Sequence, residues 1–201
     1  MDSKKVRHLT AKTAQQSSED TNSQKEVLMS VLDRYELLRQ DAVNIALAEE
    51  AKGVKEVGAQ NRGPEIDIYK KRAHSPLTKN HGWCGFFIYY CYSEAAKKFG
   101  FPLPFSAGPL WSGPKLRRWA KKNPDFVVNT SPCLPGDIYV MNYGHIGMVV
   151  SQSDGTFVNT IDGNQSSMGK GKSVKKQYRN ILEMDVLIRV TEAGMFGACY
   201  E

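Results

Sequence analysis

Residues 136–165 read GDIYVMNYGHIGMVVSQSDGTFVNTIDGNQ, and this stretch decides the fold. Asp137–Met141, His145–Ser151 and Thr156–Asp162 are rich in Val, Ile, Tyr and Thr, the residues that suit a pleated, half-buried surface. Asp154-Gly155 between the last two is a strong signal for a two-residue hairpin turn. Such a turn places Ser153 opposite Thr156 and His145 opposite Asn164. Side chains alternate with a period of two, so Asp162 falls on the same face, diagonal to His145. A one-residue slip would carry both partners to the other face. Val186–Val190 predicts a further strand, and Ser173–Tyr178 a weaker one.

Upstream, the period is helical. Val27, Val31, Tyr35 and Leu38, then Val43, Leu47 and Glu50, recur at helical spacing. One long helix or two joined near Arg39–Asp41 both fit, with Gly53 as the stop. Pro64 opens a short helix carrying Ile66, Ile68 and Tyr69. Cys84–Phe99 predicts a buried helix on which Cys84, Ile88, Cys91 and Ala95 share a face, ended by Gly100. Residues 101–114, rich in Pro and Gly, are expected as loop, and Lys115–Lys122 as a short basic helix with Trp119 turned inward. Helices first and an antiparallel sheet later make an α+β domain. Residues 1–24 are polar and without apolar periodicity, which predicts a disordered tail.

The whole chain has 201 residues, 41% hydrophobic and 24% charged, which suits one globular domain. The longest apolar run, Gly85–Tyr92, is far short of the roughly 20 residues of a membrane span. No charged stub with an apolar core opens the sequence, so no classical secretory signal is expected and action outside the cell needs another route. The net charge of +6 favours an anionic partner. Four cysteines without a CxxC pair exclude a zinc ribbon and a disulfide scaffold. GKGKS at 169–173 lacks the first glycine of a phosphate loop. No metal site is expected, and no cofactor.

Cys84 sits where a helix begins. Unpaired N–H groups and the positive end of the helix dipole favour thiolate there, and thiolate is the nucleophile. The plainer alternative is a small core residue, which better suits Cys91. A nucleophilic cysteine needs a base. Of four histidines, His8 is in the tail and His74 and His81 are in a loop. His145 begins a strand, with Asp162 and Asn164 as polar partners.

These residues resemble the CHAP domains, papain-like cysteine amidohydrolases related to the NlpC-type cell-wall hydrolases. The matching pieces are Asn61-Arg62-Gly63-Pro64 with Ile66, Asp67 and Tyr69; Trp83-Cys84; Pro135-Gly136-Asp137-Ile138; His145–Val150; and Ile161-Asp162-Gly163-Asn164. The resemblance spans about Glu50 to Val190. It implies a papain-like α+β fold, helices with the cysteine at a helix start packed on an antiparallel sheet. The chain then divides into a tail at 1–24, a helical segment at 25–52 packed on the domain, and a CHAP-like domain at 53–201.

By the same resemblance Cys84 is the nucleophile, His145 the base and Asp162 the acidic residue, with Asn164 as a helper; either Asp162 or Asn164 could orient His145. The Cys84 N–H is one oxyanion donor, with Asn61 or Tyr69 as side-chain candidates. Asn61, Tyr69, Trp83 and Tyr143 are the candidate substrate-binding residues. The implied substrate is the peptidoglycan stem peptide, cleaved through a thioester. An antibacterial effector delivered by a type VI secretion system fits, active in the target-cell periplasm, with a cognate immunity protein and a secretion-apparatus component as partners. A phage endolysin fits the same chemistry. A papain-like deamidase or protease acting on a target-cell protein keeps the fold, and a basic wall- or nucleic-acid-binding module is the non-enzymatic alternative. Nucleic acid and membrane are not expected partners on the favoured reading.

Overall fold

The computed structural model describes residues 34–128, 132–151, 155–166 and 172–192. The expected tail, Val27, Val31 and Asp154 of the hairpin turn lie outside the described residues.

A single helix, α1 (34–51), runs unbroken through Arg39–Asp41. It buries Leu38, Ala42, Val43 and Ala46. After it come α2 (Pro64–Arg72), α3 (Cys84–Phe99), a 3-10 turn (Gly108–Trp111) and α4 (Gly113–Lys122). The Pro- and Gly-rich stretch is therefore not all loop: Pro109 and Pro114 each open a helical turn, a place that needs no N–H from them. Trp119 packs against Phe105 and Phe126, as its inward turn requires. α3 ends where Gly100 takes φ 69 and its N–H reaches Ala96 O. Apolar on nearly every side, α3 buries Phe86, Phe87, Ile88, Cys91, Tyr92, Ala95 and Ala96, so it is the central helix and not a surface one.

The sheet has five strands in the order β4-β3-β2-β1-β5, with every pairing antiparallel. The strands are β1 (Ile138–Met141), β2 (Ile146–Val149), β3 (Phe157–Ser166), β4 (Lys172–Asn180) and β5 (Met184–Ile188). β1 and β2 are buried throughout, which matches their apolar runs. One face of the sheet shares the main core with α1 to α4, while Tyr139, Met141, Val149, Val158 and Leu187 form a second cluster with Cys133. β4 is an edge strand with lysines along it, a device that discourages pairing with other chains and also blurs apolar alternation.

Two motif pieces hold this frame rather than doing chemistry. Asp137 is fully buried and takes two hydrogen bonds from Arg189, at 2.8 and 2.7 Å. The Gly136 carbonyl accepts from Tyr92 O–H, and a Cβ on Gly136 would strike Arg39 of α1. Likewise, Arg62 grips Asp67 through Nε and Nη2 at 2.7 and 2.8 Å, fixing the start of α2.

β2 pairs with β3 as Met148↔Ile161 and Val149↔Thr160, the register that the Asp154-Gly155 turn predicts. That register continues to Gly147 beside Asp162, while Tyr139 faces Gly147 from β1. A Cβ on Gly147 would overlap both Asp162 Oδ1 and the Tyr139 hydroxyl, so a row of three strands closes over a residue without a side chain. Gly147→Ala is expected to destabilise the fold by about 1–3 kcal/mol through overpacking. A urea midpoint lowered at unchanged slope would show it, whereas an unchanged midpoint would mean that the row has room.

Candidate active site

Cys84 is the first residue of α3 and stands half-buried in the wall of a cleft of about 450 Å³. The cleft is bounded by Asn80–Gly82, by Trp111 and the start of α4, and by the β1–β2 turn at Asn142–Gly144. Gly113 permits that closure, because a Cβ there would strike the Gly144 backbone.

The Cys84 thiol is hydrogen-bonded to His145, and N–H groups of Ile146 and Gly85 point at the sulfur. Burial alone would push the thiol up, but His145 and the two N–H donors outweigh it and hold Cys84 below the ordinary thiol value. His145 immediately precedes β2, and its side chain is only 10% exposed. Its Nε2 lies 3.3 Å from Asp162 Oδ2 and 2.7 Å from Gln165 Nε2. That leaves Nδ1 as the nitrogen facing the thiol. Burial would lower the His145 pKa; the hydrogen bonds to Asp162 and Cys84, with their negative charges, reverse this and push it up to about 9. Each group thus favours the charged form of the other, which biases the pair toward thiolate beside imidazolium.

This pairing has a direct chemical signature. Alkylation of Cys84 by iodoacetamide should rise in two steps with pH. The first, below the ordinary thiol range, reports thiolate formed beside imidazolium. The second, near 9, reports loss of the His145 proton and of the positive charge that damps the sulfur. A single step at about 8.5, the value of an isolated thiol, would exclude the pair.

Asp162 is fully buried, yet far from unsatisfied. It accepts from Tyr139 O–H, from Arg179 Nη2 at 2.5 Å and from Arg179 Nε at 3.1 Å, besides facing His145. Burial and the facing Asp162 charge keep the Tyr139 hydroxyl protonated, well above the usual phenol range. Tyr143 lies stacked on the His145 ring, with centroids 6.4 Å apart at 23°. It is 64% exposed and lines the cleft.

The expected constellation is altered in one detail. Asn164 is not the residue that meets the His145 ring; Gln165 is. The cause is a bulge between Asp162 and Gln165, where Asn164 takes φ 64. The Asn164 Oδ1 is buried without a hydrogen-bond partner among the described residues, and its Nδ2 lies against Gly82 in the cleft wall. Three of the four candidate substrate-binding residues are also displaced. Trp83 is 0% exposed and donates to Glu56, and Tyr69 is buried with its hydroxyl on Glu49. Both fill the core behind α3, out of reach of a substrate. Asn61 is buried too, and donates through Nδ2 to Asn80 Oδ1, so it supports the loop before Cys84 from behind. Only Tyr143 reaches the cleft. Sequence reasoning missed Gln165, Tyr139 and Arg179: the first depends on the bulge, and the last belongs to a strand whose apolar pattern is faint.

No curated protein matches the chain. One family model does, over a span narrower than the resemblance read from the motifs. It begins in the loop before Cys84 and ends at Asn164, so it takes in the helix-start cysteine, the imidazole and the buried carboxylate, and leaves out Gln165 and Arg179. That model describes the CHAP domain and matches residues 77–164, so this stretch of the α+β fold is similar to a CHAP domain.

Proposed function

We propose that this protein is a cysteine amidohydrolase that cleaves amide bonds of peptidoglycan. The observation that carries the proposal is the hydrogen-bonded Cys84–His145 pair in an open cleft, with Asp162 behind the imidazole. The CHAP match supports the substrate class.

In the reaction, the Cys84 thiolate attacks the amide carbon and the carbonyl electrons move to oxygen. The Cys84 N–H, at the unpaired start of α3, is placed to receive that oxyanion. The tetrahedral intermediate collapses as the C–N bond breaks, and the His145 imidazolium gives its proton to the departing amine. A thioester remains. Neutral His145 then takes a proton from water, whose oxygen attacks the thioester, and Cys84 leaves again as thiolate. Asp162 holds the ring in place and stabilises its cation through both halves. We extend the reading to an antibacterial effector acting in the target-cell periplasm; of this, the net charge of +6 supports the contact with an anionic wall.

Incubation with purified Gram-negative sacculi, followed by mass spectrometry of the soluble material, tests the proposal. Release of muropeptides is expected, and the fragment masses name the bond. Intact sacculi with reductant present across pH 6 to 9 would move the search to protein amides.

A further inference from the structure

Arg179 lies outside the matched CHAP segment and has no role in the mechanism just given, yet its guanidinium bonds three side chains around the site, those of Asp162, Tyr139 and Tyr143. It stands on β4 opposite Val158 and meets, over β3, both Asp162 and the Tyr139 hydroxyl, which the Tyr139 side chain carries across β2 from β1. Nη2 and Nε bond Asp162 at 2.5 and 3.1 Å, Nε also reaches the Tyr139 hydroxyl at 3.2 Å, and Nη1 donates to the Tyr143 hydroxyl at 3.1 Å. Gly147 of β2, without a side chain, leaves the room in which the Tyr139 hydroxyl and the Asp162 carboxylate meet. The Arg179 side chain is 14% exposed and that of Asp162 0%, so the pair interacts with little screening by water.

We propose that Arg179 is a positioning residue that tempers the charge which Asp162 presents to His145 and anchors Tyr143 as the wall of the cleft over the imidazole. The inference rests on the cysteine-hydrolase reading of the site. Its logic is that of a shared counter-ion. An unshared buried carboxylate would hold the imidazolium too tightly for it to yield its proton to the leaving amine. A guanidinium on the other side of the same carboxylate draws off part of that charge. The other groups around His145 are Cys84 from α3, Gln165 from β3 and Tyr143 from the turn, with Tyr139 of β1 on Asp162 and, at the cleft margin, His81 and Arg117, the latter paired with Asp185 of β5 at 2.6 Å. Of the groups in contact with the ring, Asp162 and the Cys84 thiolate are the anions, so removal of Arg179 leaves the imidazolium more strongly held.

The test follows Cys84 alkylation by iodoacetamide against pH in the full chain, with Cys84→Ala as the background. In Arg179→Gln the second inflection, near 9 in the wild type, is expected to rise by about one unit, while Arg179→Lys, which keeps the charge, stays near the wild-type value. A folded R179Q with an unmoved inflection overturns the inference even if its activity is low, because that result describes a merely structural residue. A wild type with neither step overturns the thiolate reading and this inference together. Should R179Q not fold, the wild-type protein decides: the Arg179 Nε–H resonance is expected to titrate in step with the His145 ring, and a flat response overturns the inference.

Discussion

Cys84→Ala releases no soluble fragments from sacculi above background, a loss of about four orders of magnitude or more in kcat/KM. The size follows from what the side chain does. Without sulfur no thioester can form, and the N–H groups at the start of α3 have only a neutral, unactivated amide to polarise. The fold survives, because the Cys84 side chain is small, only half-buried, and borders an open cleft rather than packed core. His145→Ala falls nearly as far, since it removes the proton that the amine needs and the cation that keeps Cys84 ionised. The two losses do not add. A double variant no worse than either single one is expected, because both remove the same ion pair. Retention of more than about one per cent of activity by Cys84→Ala would transfer the chemistry to another group.

The parts of this arrangement legible in the sequence are those set by local pattern. α3 begins at Cys84 with an apolar run and ends before Gly100, which stops it, and its role as the central helix follows from that run. The β2–β3 register follows from turn chemistry, and with it the placing of Asp162 near His145. What the sequence concealed depends on longer-range packing. The bulge after Asp162 hands the ring contact from Asn164 to Gln165, and no composition signal marks it. Tyr69 and Trp83 stand close to motif residues in sequence, but proximity says nothing of exposure, and both turned into the core. Arg179 was hidden by its strand. KSVKKQYRN reads as a solvated edge, and only the finished sheet shows that one of its cations turns inward onto the buried Asp162 of the neighbouring strand.

Asp162→Asn separates the orienting residue from its neighbours, and its effects run in three directions at once. The shape is kept, so the losses trace to charge. Arg179 is left largely buried opposite a neutral amide, and breaking such a pair from one side costs about 3–5 kcal/mol. Expression and thermal unfolding should both show it. Next, His145 loses its principal reason for staying protonated. Burial then acts against Cys84 alone, and the high-pH limb of kcat/KM falls from near 9 toward the ordinary imidazole value of about 6.5. Activity itself drops by about two to four orders of magnitude, the scale seen when a carboxylate behind a catalytic imidazole is neutralised. Gln165→Ala removes one 2.7 Å contact with the ring and no charge, so it costs less activity and leaves the limb in place. Asn164→Ala touches the ring not at all; its cost is the strain of a Cβ-bearing residue other than Asn at φ 64, about 1 kcal/mol of stability with the pH profile intact. Equal, mild losses from Asp162→Asn and Asn164→Ala would contradict the triad, since a carboxylate that sets the proton affinity of the base cannot be exchanged as cheaply as a residue that only closes a bulge.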